Sequence, residues 1–306
     1  MRDIIKKVPI PLCGVILGVA ALGNLLQSYS ENIRYACGAV AAFLVVLVVL
    51  KLVLFPGMVK EDLNNPIMAS VAPTLSMALM ILSTYLKPFI GQAAFFIWIA
   101  AIALHIVLIL YFSKKFIRNI QMPKVFASYY IVYVGIVVAA VTAPAYGQFG
   151  IGTAAFWFGF ICLAILLVLV TVRYVKYKQI PEPARPLICI YAAPVSLCIA
   201  GYVQSVTPKS YGFLMGMFLL ATFLYVFALV IAVYYLLKLP FYPSYASFTF
   251  PFVISAIATK QTMACLGKMG RPLPALSYLA VIETIVAVIF VLYTLGCFLR
   301  FLFIKK

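Results

Sequence analysis

Long apolar stretches separated by short polar segments dominate the pattern of this chain. A helix that crosses roughly 30 Å of hydrocarbon needs about 20 mostly apolar residues, and ten stretches come close to that length or exceed it. They cover residues 9–27, 35–55, 66–86, 90–112, 126–146, 150–172, 185–206, 211–237, 244–261 and 274–301. The pattern predicts an all-α integral membrane protein whose ten transmembrane helices form a single domain across residues 1–306.

Prolines divide these stretches into two alternating kinds. Every odd-numbered stretch carries proline, whereas the even-numbered stretches contain none beyond Pro274 at the start of the tenth. A proline inside a helix removes one backbone hydrogen bond and bends the helix, and the freed carbonyl cannot face lipid. We therefore predict five helical hairpins around a central pore that the odd-numbered helices line. The expected pore kinks are at Pro11, Pro73, Pro144, Pro194 and Pro251.

Composition supports the membrane assignment and excludes a water-soluble core. Hydrophobic residues make up 66% of the chain and charged residues only 9%, which is far from the balance of a soluble domain. The seven cysteines fall in or beside the apolar stretches and form no CxxC pair. We therefore expect buried thiols, with no disulfide framework, metal site or cofactor.

The net charge of +17 comes mainly from one side of the predicted membrane. The termini and the loops from even to odd helices hold 17 of the 23 basic residues, and the opposite loops hold six. This asymmetry follows the positive-inside rule. It predicts a multi-pass protein of the cell inner or plasma membrane with both termini cytoplasmic, and it points to the lipid bilayer as the partner of the positive charge, not to nucleic acid.

Three segments carry a resemblance to a known family. They are Pro-Leu-Cys-Gly at 11–14 with the glycine-rich run that follows, Arg185-Pro186 before an Ala-Ala-Pro helix, and Tyr-Ala-Ser-Phe-Thr-Phe-Pro at 245–251. The chain resembles the tellurite-resistance/dicarboxylate transporter family, which includes bacterial TehA proteins, yeast malate and sulfite transporters and plant slow anion channels. The resemblance implies five hairpins around a pore and a homotrimer with one pore per subunit. It also implies that Phe250 plugs the pore as a gate beside Gly14; ordinary aromatic packing is the alternative for Phe250.

Anion selectivity is expected to come from dipoles, because odd-numbered stretches 1, 3, 5 and 7 contain no Asp or Glu. Backbone N–H groups and hydroxyls can bind an anion weakly enough to release it. The candidate pore-lining hydroxyls are Ser70, Thr74, Ser196, Thr249 and Ser255. A second basic cluster, Lys260, Lys268 and Arg271, lies in the opposite loops; it either concentrates anions at that mouth or consists of solvated loop charges.

The sequence is compatible with two functions, and in both the protein carries small inorganic or organic anions. The first is a gated channel or uniporter for such anions. The second is a proton-coupled transporter or exporter of C4-dicarboxylate, sulfite or tellurite-like oxyanions, in which Glu283, the one acid well inside a stretch, would carry the proton. A neutral or hydrogen-bonded contact between helices is the alternative for Glu283. His105 is interpreted as a structural residue. Because the sequence contains no recognisable catalytic motif, we do not expect an enzyme.

Overall fold

The computed structural model describes residues 2–304, and these residues are helical or in connecting segments, with no strand among them. The prediction of an all-α membrane protein is confirmed. The α-helices are α1 (Arg2–Lys7), α2 (Leu12–Leu26), α3 (Glu31–Leu54), α4 (Pro56–Asp62), α5 (Pro66–Val71), α6 (Thr74–Ile90), α7 (Gln92–Phe112), α8 (Tyr129–Val134), α9 (Val137–Thr142), α10 (Phe149–Lys176), α11 (Ala193–Ser205), α12 (Tyr211–Lys238), α13 (Phe250–Lys268) and α14 (Leu276–Phe303).

Seven helical segments are long and apolar enough to cross a membrane, and they correspond to seven of the ten predicted stretches. The other three stretches form shorter or less apolar helices. The helix α2 has 15 residues, the stretch 126–146 is divided between α8, α9 and a 3₁₀ turn, and α13 carries lysines and a glutamine among its apolar residues. Helix length and composition therefore establish seven membrane-spanning helices and do not establish the ten that were predicted.

The proline-bearing segments are broken into pieces, which is a stronger effect than the bends predicted from sequence. The helices α5 and α6 are separated at Ala72 and Pro73. The helix α11 follows a 3₁₀ segment, Glu182–Ala192, and α13 follows another, Pro243–Phe248. A proline cannot supply the N–H that continues an α-helix, and a tighter 3₁₀ turn is a common way to join such pieces.

The helices contact one another in a regular pattern. Each proline-bearing segment contacts the long helix that follows it, as α2 contacts α3, α6 contacts α7, and α13 contacts α14. The proline-bearing segments also contact one another in a closed series: α2 with α6, α6 with α9, α9 with α11, α11 with α13, and α13 again with α2. The result is an inner ring with the long helices outside it.

Burial differs sharply between the inner ring and the outer helices. Of the most apolar 18 residues in Glu182–Ser205, 89% are buried, and the value for Pro66–Ile90 is 67%. In the proline-free helices the share is between 28% and 39%. Their exposed faces are apolar, as expected for contact with lipid. Examples are Val46, Val53, Leu110, Ile165, Val168, Leu219, Phe223, Val230, Ile282 and Leu292.

Candidate functional site: a central cavity lined by Phe250

A cavity of about 350 Å³ lies within the inner ring. Its rim includes Asn65 and Pro181, and its lining continues inward to Leu17, Met77 and Phe250. Among residues 2–304, no charged side chain lines it. At about 30 Å³ per water molecule, this volume has room for a small anion together with part of its hydration shell.

The lining residues farthest along the five inner segments are Leu17, Met77, Gly135, Leu197 and Pro251, the last of which follows Phe250 directly. The residues one helical turn farther along the five inner segments are all buried. They are Ala21, Ile81, Val138, Gly201 and Ile254. The inner ring is therefore open from one end and tightly packed in its other half, with an apolar boundary between the two.

Phe250 is the first residue of α13, directly after the break at Thr249, and its side chain is only 6% exposed. It lines the cavity together with Gly14 on α2. The 3₁₀ segment before α13 approaches α2 closely here, because a Cβ added to Gly14 would lie 3.2 Å from the Ala246 Cβ. A Cβ added to Gly18 would lie 2.5 Å from the Thr249 Cβ and 3.0 Å from the Phe250 backbone nitrogen. Gly18, which the sequence did not single out at this site, is the tighter contact.

The predicted pore hydroxyls occupy two kinds of position. Thr74 lines the cavity, although its Oγ1 also donates to the Val71 carbonyl at 2.7 Å. The other four are buried in contacts behind the cavity wall. The Thr249 hydroxyl lies 3.0 Å from the Gly14 carbonyl oxygen, which joins α13 to α2.

The remaining three hydroxyls also form hydrogen bonds with other groups of the protein. Ser70 Oγ lies 2.6 Å from Ser128 Oγ, and the Ser196 and Ser255 hydroxyls lie 3.2 Å apart, both near the Ala192 carbonyl oxygen. Hydroxyls thus bond to carbonyls next to the helix breaks, where the regular α-helical partner is missing. The lining near Phe250 is consequently more apolar than the sequence suggested.

The five predicted kink prolines are not equivalent in the structure. Pro11, Pro194 and Pro251 line the cavity. Pro73 is buried at the break between α5 and α6 but is outside the lining. Pro144 is half-buried in a 3₁₀ turn, Ala143–Tyr146, at the far end of its segment. Three of the five therefore contribute directly to the shape of the cavity.

Glu283 and His105, the two ionisable side chains that the sequence placed inside apolar stretches as candidates, are both buried outside the cavity. Glu283 on α14 is 2% exposed, and its Oε2 has no hydrogen-bond partner among residues 2–304. His105 on α7 is 0% exposed and joins three segments, because its Nδ1 lies 2.8 Å from Ser76 Oγ and its Nε2 lies 3.1 Å from the Val132 carbonyl oxygen. Both ring nitrogens of His105 are thus occupied by structural contacts.

The basic residues at the packed end have separate local partners. The Lys260 ammonium donates to the Leu25 carbonyl at 3.2 Å and to Ser28 Oγ at 3.0 Å. The Arg271 guanidinium lies 4.6 Å from the centre of the Tyr211 ring, and Lys268 is exposed. Lys260 joins the first hairpin, whereas Arg271 stacks on α12, so these residues do not converge on one opening.

The fold and the cavity define a helical membrane protein with a partly open internal path. A family model described as voltage-dependent anion channel, SLAC1, matches residues 7–301. The chain belongs to this family, which confirms the resemblance identified from the sequence. The family is one of channels and transporters that carry anions across membranes. A search of the curated proteins found no match.

Proposed function

We propose that this protein is a gated channel or uniporter for small anions. Ten helical segments, arranged as five hairpins, would cross the membrane around one central path, and Phe250 would close that path. The observation that carries the proposal is the apolar cavity in the inner ring, whose lining includes Phe250 at the start of α13 and Gly14 on α2. A hydrophobic constriction can stop ions by excluding water, without any charged barrier.

The chemistry of the cavity favours anions that are released quickly. An uncharged lining does not repel an anion, and it also lacks the fixed cation that would hold one for a long time. The break before α13 and the start of α11 bring backbone groups near the cavity, where they can interact as dipoles. Selectivity would then depend on the size and hydration of the anion.

The orientation and assembly belong to the same proposal. The excess of basic residues in the loops at the end where the cavity opens supports a cytoplasmic location for that end and for both termini. We propose location in the plasma or inner membrane. A homotrimer, with one path in each subunit, follows from the family resemblance.

Reversal potentials test the proposed function directly. For the purified protein in planar bilayers, we expect the reversal potential to follow gradients of chloride, nitrate, sulfite or malate. Replacement of the cation at a constant anion gradient should leave it unchanged. The order of permeability among the four anions would identify the substrate class. A reversal potential that follows the cation gradient would rule out the proposal.

A proton-coupled carrier is the second candidate, and burial of Glu283 is the observation that favours it. An ionisable group at membrane depth is costly and is often kept for a function. Glu283 lies on α14, outside the inner ring, and the hydroxyls of Tyr225 and Thr259 are its neighbours. A carboxyl in this position could take up a proton without contacting the anion itself.

The Glu283→Gln variant separates the two candidates. For a channel, we expect a pH gradient across the bilayer to leave the reversal potential unchanged, and Glu283→Gln should keep the wild-type conductance. Glu61→Gln, which removes an exposed acid, is the matched control. A pH-dependent shift that disappears in Glu283→Gln but remains in Glu61→Gln would replace the channel with the proton-coupled carrier.

A further inference from the structure

A second, larger space adjoins the open end of the central cavity. It has a volume of about 820 Å³ and shares Asn65, Ile67 and Pro181 with the lining of the central cavity. Three basic side chains line it, Lys124, Lys178 and Arg185, and all three are exposed. We refer to this space as the basic chamber. These side chains therefore lie beside the open end of the central cavity.

A buried arginine holds two walls of the basic chamber in place. Arg173 is 0% exposed, and its guanidinium donates to the carbonyl oxygens of Tyr177 at 2.7 Å and Pro123 at 3.0 Å. The same group lies 4.8 Å from the centre of the Phe126 ring. Lys124 follows Pro123, and Lys178 follows Tyr177. Arg173 therefore fixes the backbone beside two of the three cations, which reduces the entropy lost when they bind a ligand.

The positive charge of the basic chamber is not paired in salt bridges. Within residues 2–304, none of Lys124, Lys178, Arg185 and Arg173 forms a salt bridge. The acid nearest to the chamber in sequence is Glu182, and its Oε1 accepts a hydrogen bond of 2.7 Å from the Tyr242 hydroxyl. This bond leaves the negative charge of Glu182 in place, so the carboxylate offsets part of the positive charge, and the three cations remain in excess.

The two spaces suit different steps in the passage of an anion. Several cations around a wet space attract an anion with two or more negative charges more strongly than a singly charged one. The central cavity has no fixed charge, so a multivalent anion loses most of that attraction when it moves inward. Of the two spaces, the basic chamber is therefore the one that attracts a multivalent anion more strongly.

We propose that the basic chamber is a binding site for multivalent oxyanions of the phosphate class. It captures them at the open end of the central cavity and makes the protein respond to these anions from that side only. The effect on transport rests on the proposed anion conduction through the central cavity. The binding itself depends only on the three cations and the walls that Arg173 holds.

Inorganic pyrophosphate is a suitable probe, because it carries several charges and can be titrated by calorimetry. We expect it to bind the wild-type protein in nanodiscs of neutral lipid. The variant Lys124→Gln/Lys178→Gln/Arg185→Gln should bind it on the order of tenfold more weakly or not at all, since three cations beside the ligand are lost. Added salt should weaken the wild-type binding.

The matched control is Arg2→Gln/Lys6→Gln/Lys7→Gln. It also removes one arginine and two lysines, all exposed, but outside the lining of the basic chamber. This control should bind pyrophosphate like the wild type. Equal binding by the two triple variants, or equal loss in both, would overturn the proposal, because the affinity would then reflect overall charge or another site.

A further binding experiment distinguishes soluble anions from lipid headgroups as the ligand. Nanodiscs that contain anionic lipid should leave pyrophosphate binding in place; loss of binding there would assign the chamber to lipid headgroups and overturn its role with soluble anions.

Current measurements distinguish a failure of the binding site from a failure of the proposed function. In bilayers, pyrophosphate should reduce the chloride current only from the open end. If no anion current exists but binding follows the three cations, the proposed function fails and the binding site stands. If current flows but binding ignores the three cations, only the binding site fails.

Discussion

Replacement of Phe250 with alanine is expected to raise the anion current by on the order of tenfold or more. A tenfold rise corresponds to about 1.4 kcal/mol removed from the barrier to passage. The ring lies at the boundary between the open cavity and the packed half of the inner ring. Its removal would widen this boundary and admit water, which an apolar constriction excludes. Single-channel recording in planar bilayers measures the effect without dependence on expression level.

The control for this variant is Phe252→Ala, two residues farther along α13. Phe252 is 0% exposed, and its ring contacts the rings of Tyr225 and Phe290 at centroid distances of 5.7 Å and 4.7 Å. It lies outside the lining of the central cavity. Its loss should lower stability, by about 3–5 kcal/mol for a core phenylalanine, and leave the unitary current unchanged. An unchanged current in Phe250→Ala would remove the gate assignment.

The variant Gly18→Ala is expected to destabilise the protein by about 1–3 kcal/mol, the usual cost of an overpacked contact. The new methyl group would lie 2.5 Å from the Thr249 Cβ and 2.6 Å from its Oγ1. The start of α13 would have to move away from α2, which would also lengthen the hydrogen bond from Thr249 to the Gly14 carbonyl. Thermal unfolding in detergent measures the loss of stability.

Two further alanine variants show whether the contact between Gly18 and Thr249 is responsible for the loss of stability. Gly14→Ala should have a smaller effect, since its nearest neighbour would be the Ala246 Cβ at 3.2 Å. Gly216→Ala, on α12, has no heavy atom within 4 Å of the added Cβ and should be neutral or stabilising. If Gly18→Ala unfolds at the same temperature as Gly216→Ala, the close approach of α2 and α13 is wrong.

These predictions depend on one relation between the two helices at the boundary. Gly14 and Gly18 are four residues apart and therefore lie on the same face of α2. The start of α13, with Thr249 and Phe250, rests against that face. A small movement of α13 would shift both the hydrogen bond at Gly14 and the ring of Phe250. This relation supports the proposed gate at Phe250, because backbone and ring would move together.

Local properties of the sequence were sufficient to predict that this is a membrane protein and to separate the inner segments from the outer helices. Stretches of about 20 apolar residues have few solutions other than membrane helices. Proline acts on its own helix through the missing N–H, so the alternation of prolines was readable without tertiary contacts. The segment at 245–251 led to the correct family, and the proline-bearing segments are the more deeply buried ones.

The site depended on contacts that the local pattern does not contain. Thr249 bonds to Gly14 across 235 positions of sequence, which is why its hydroxyl faces the protein and leaves an apolar lining. Gly18 was one small residue among many until the structure put it against Thr249. The basic chamber likewise required two distant loops to meet at Arg173.

The sequence by itself thus determined the membrane class, the family and the inner or outer position of the segments, because apolar length and proline act locally. Only the tertiary structure decided which residues line the cavity, which hydroxyls form hydrogen bonds with backbone carbonyls and which cations lie close together. These features are set by which faces of distant segments meet, and periodicity does not encode that pairing.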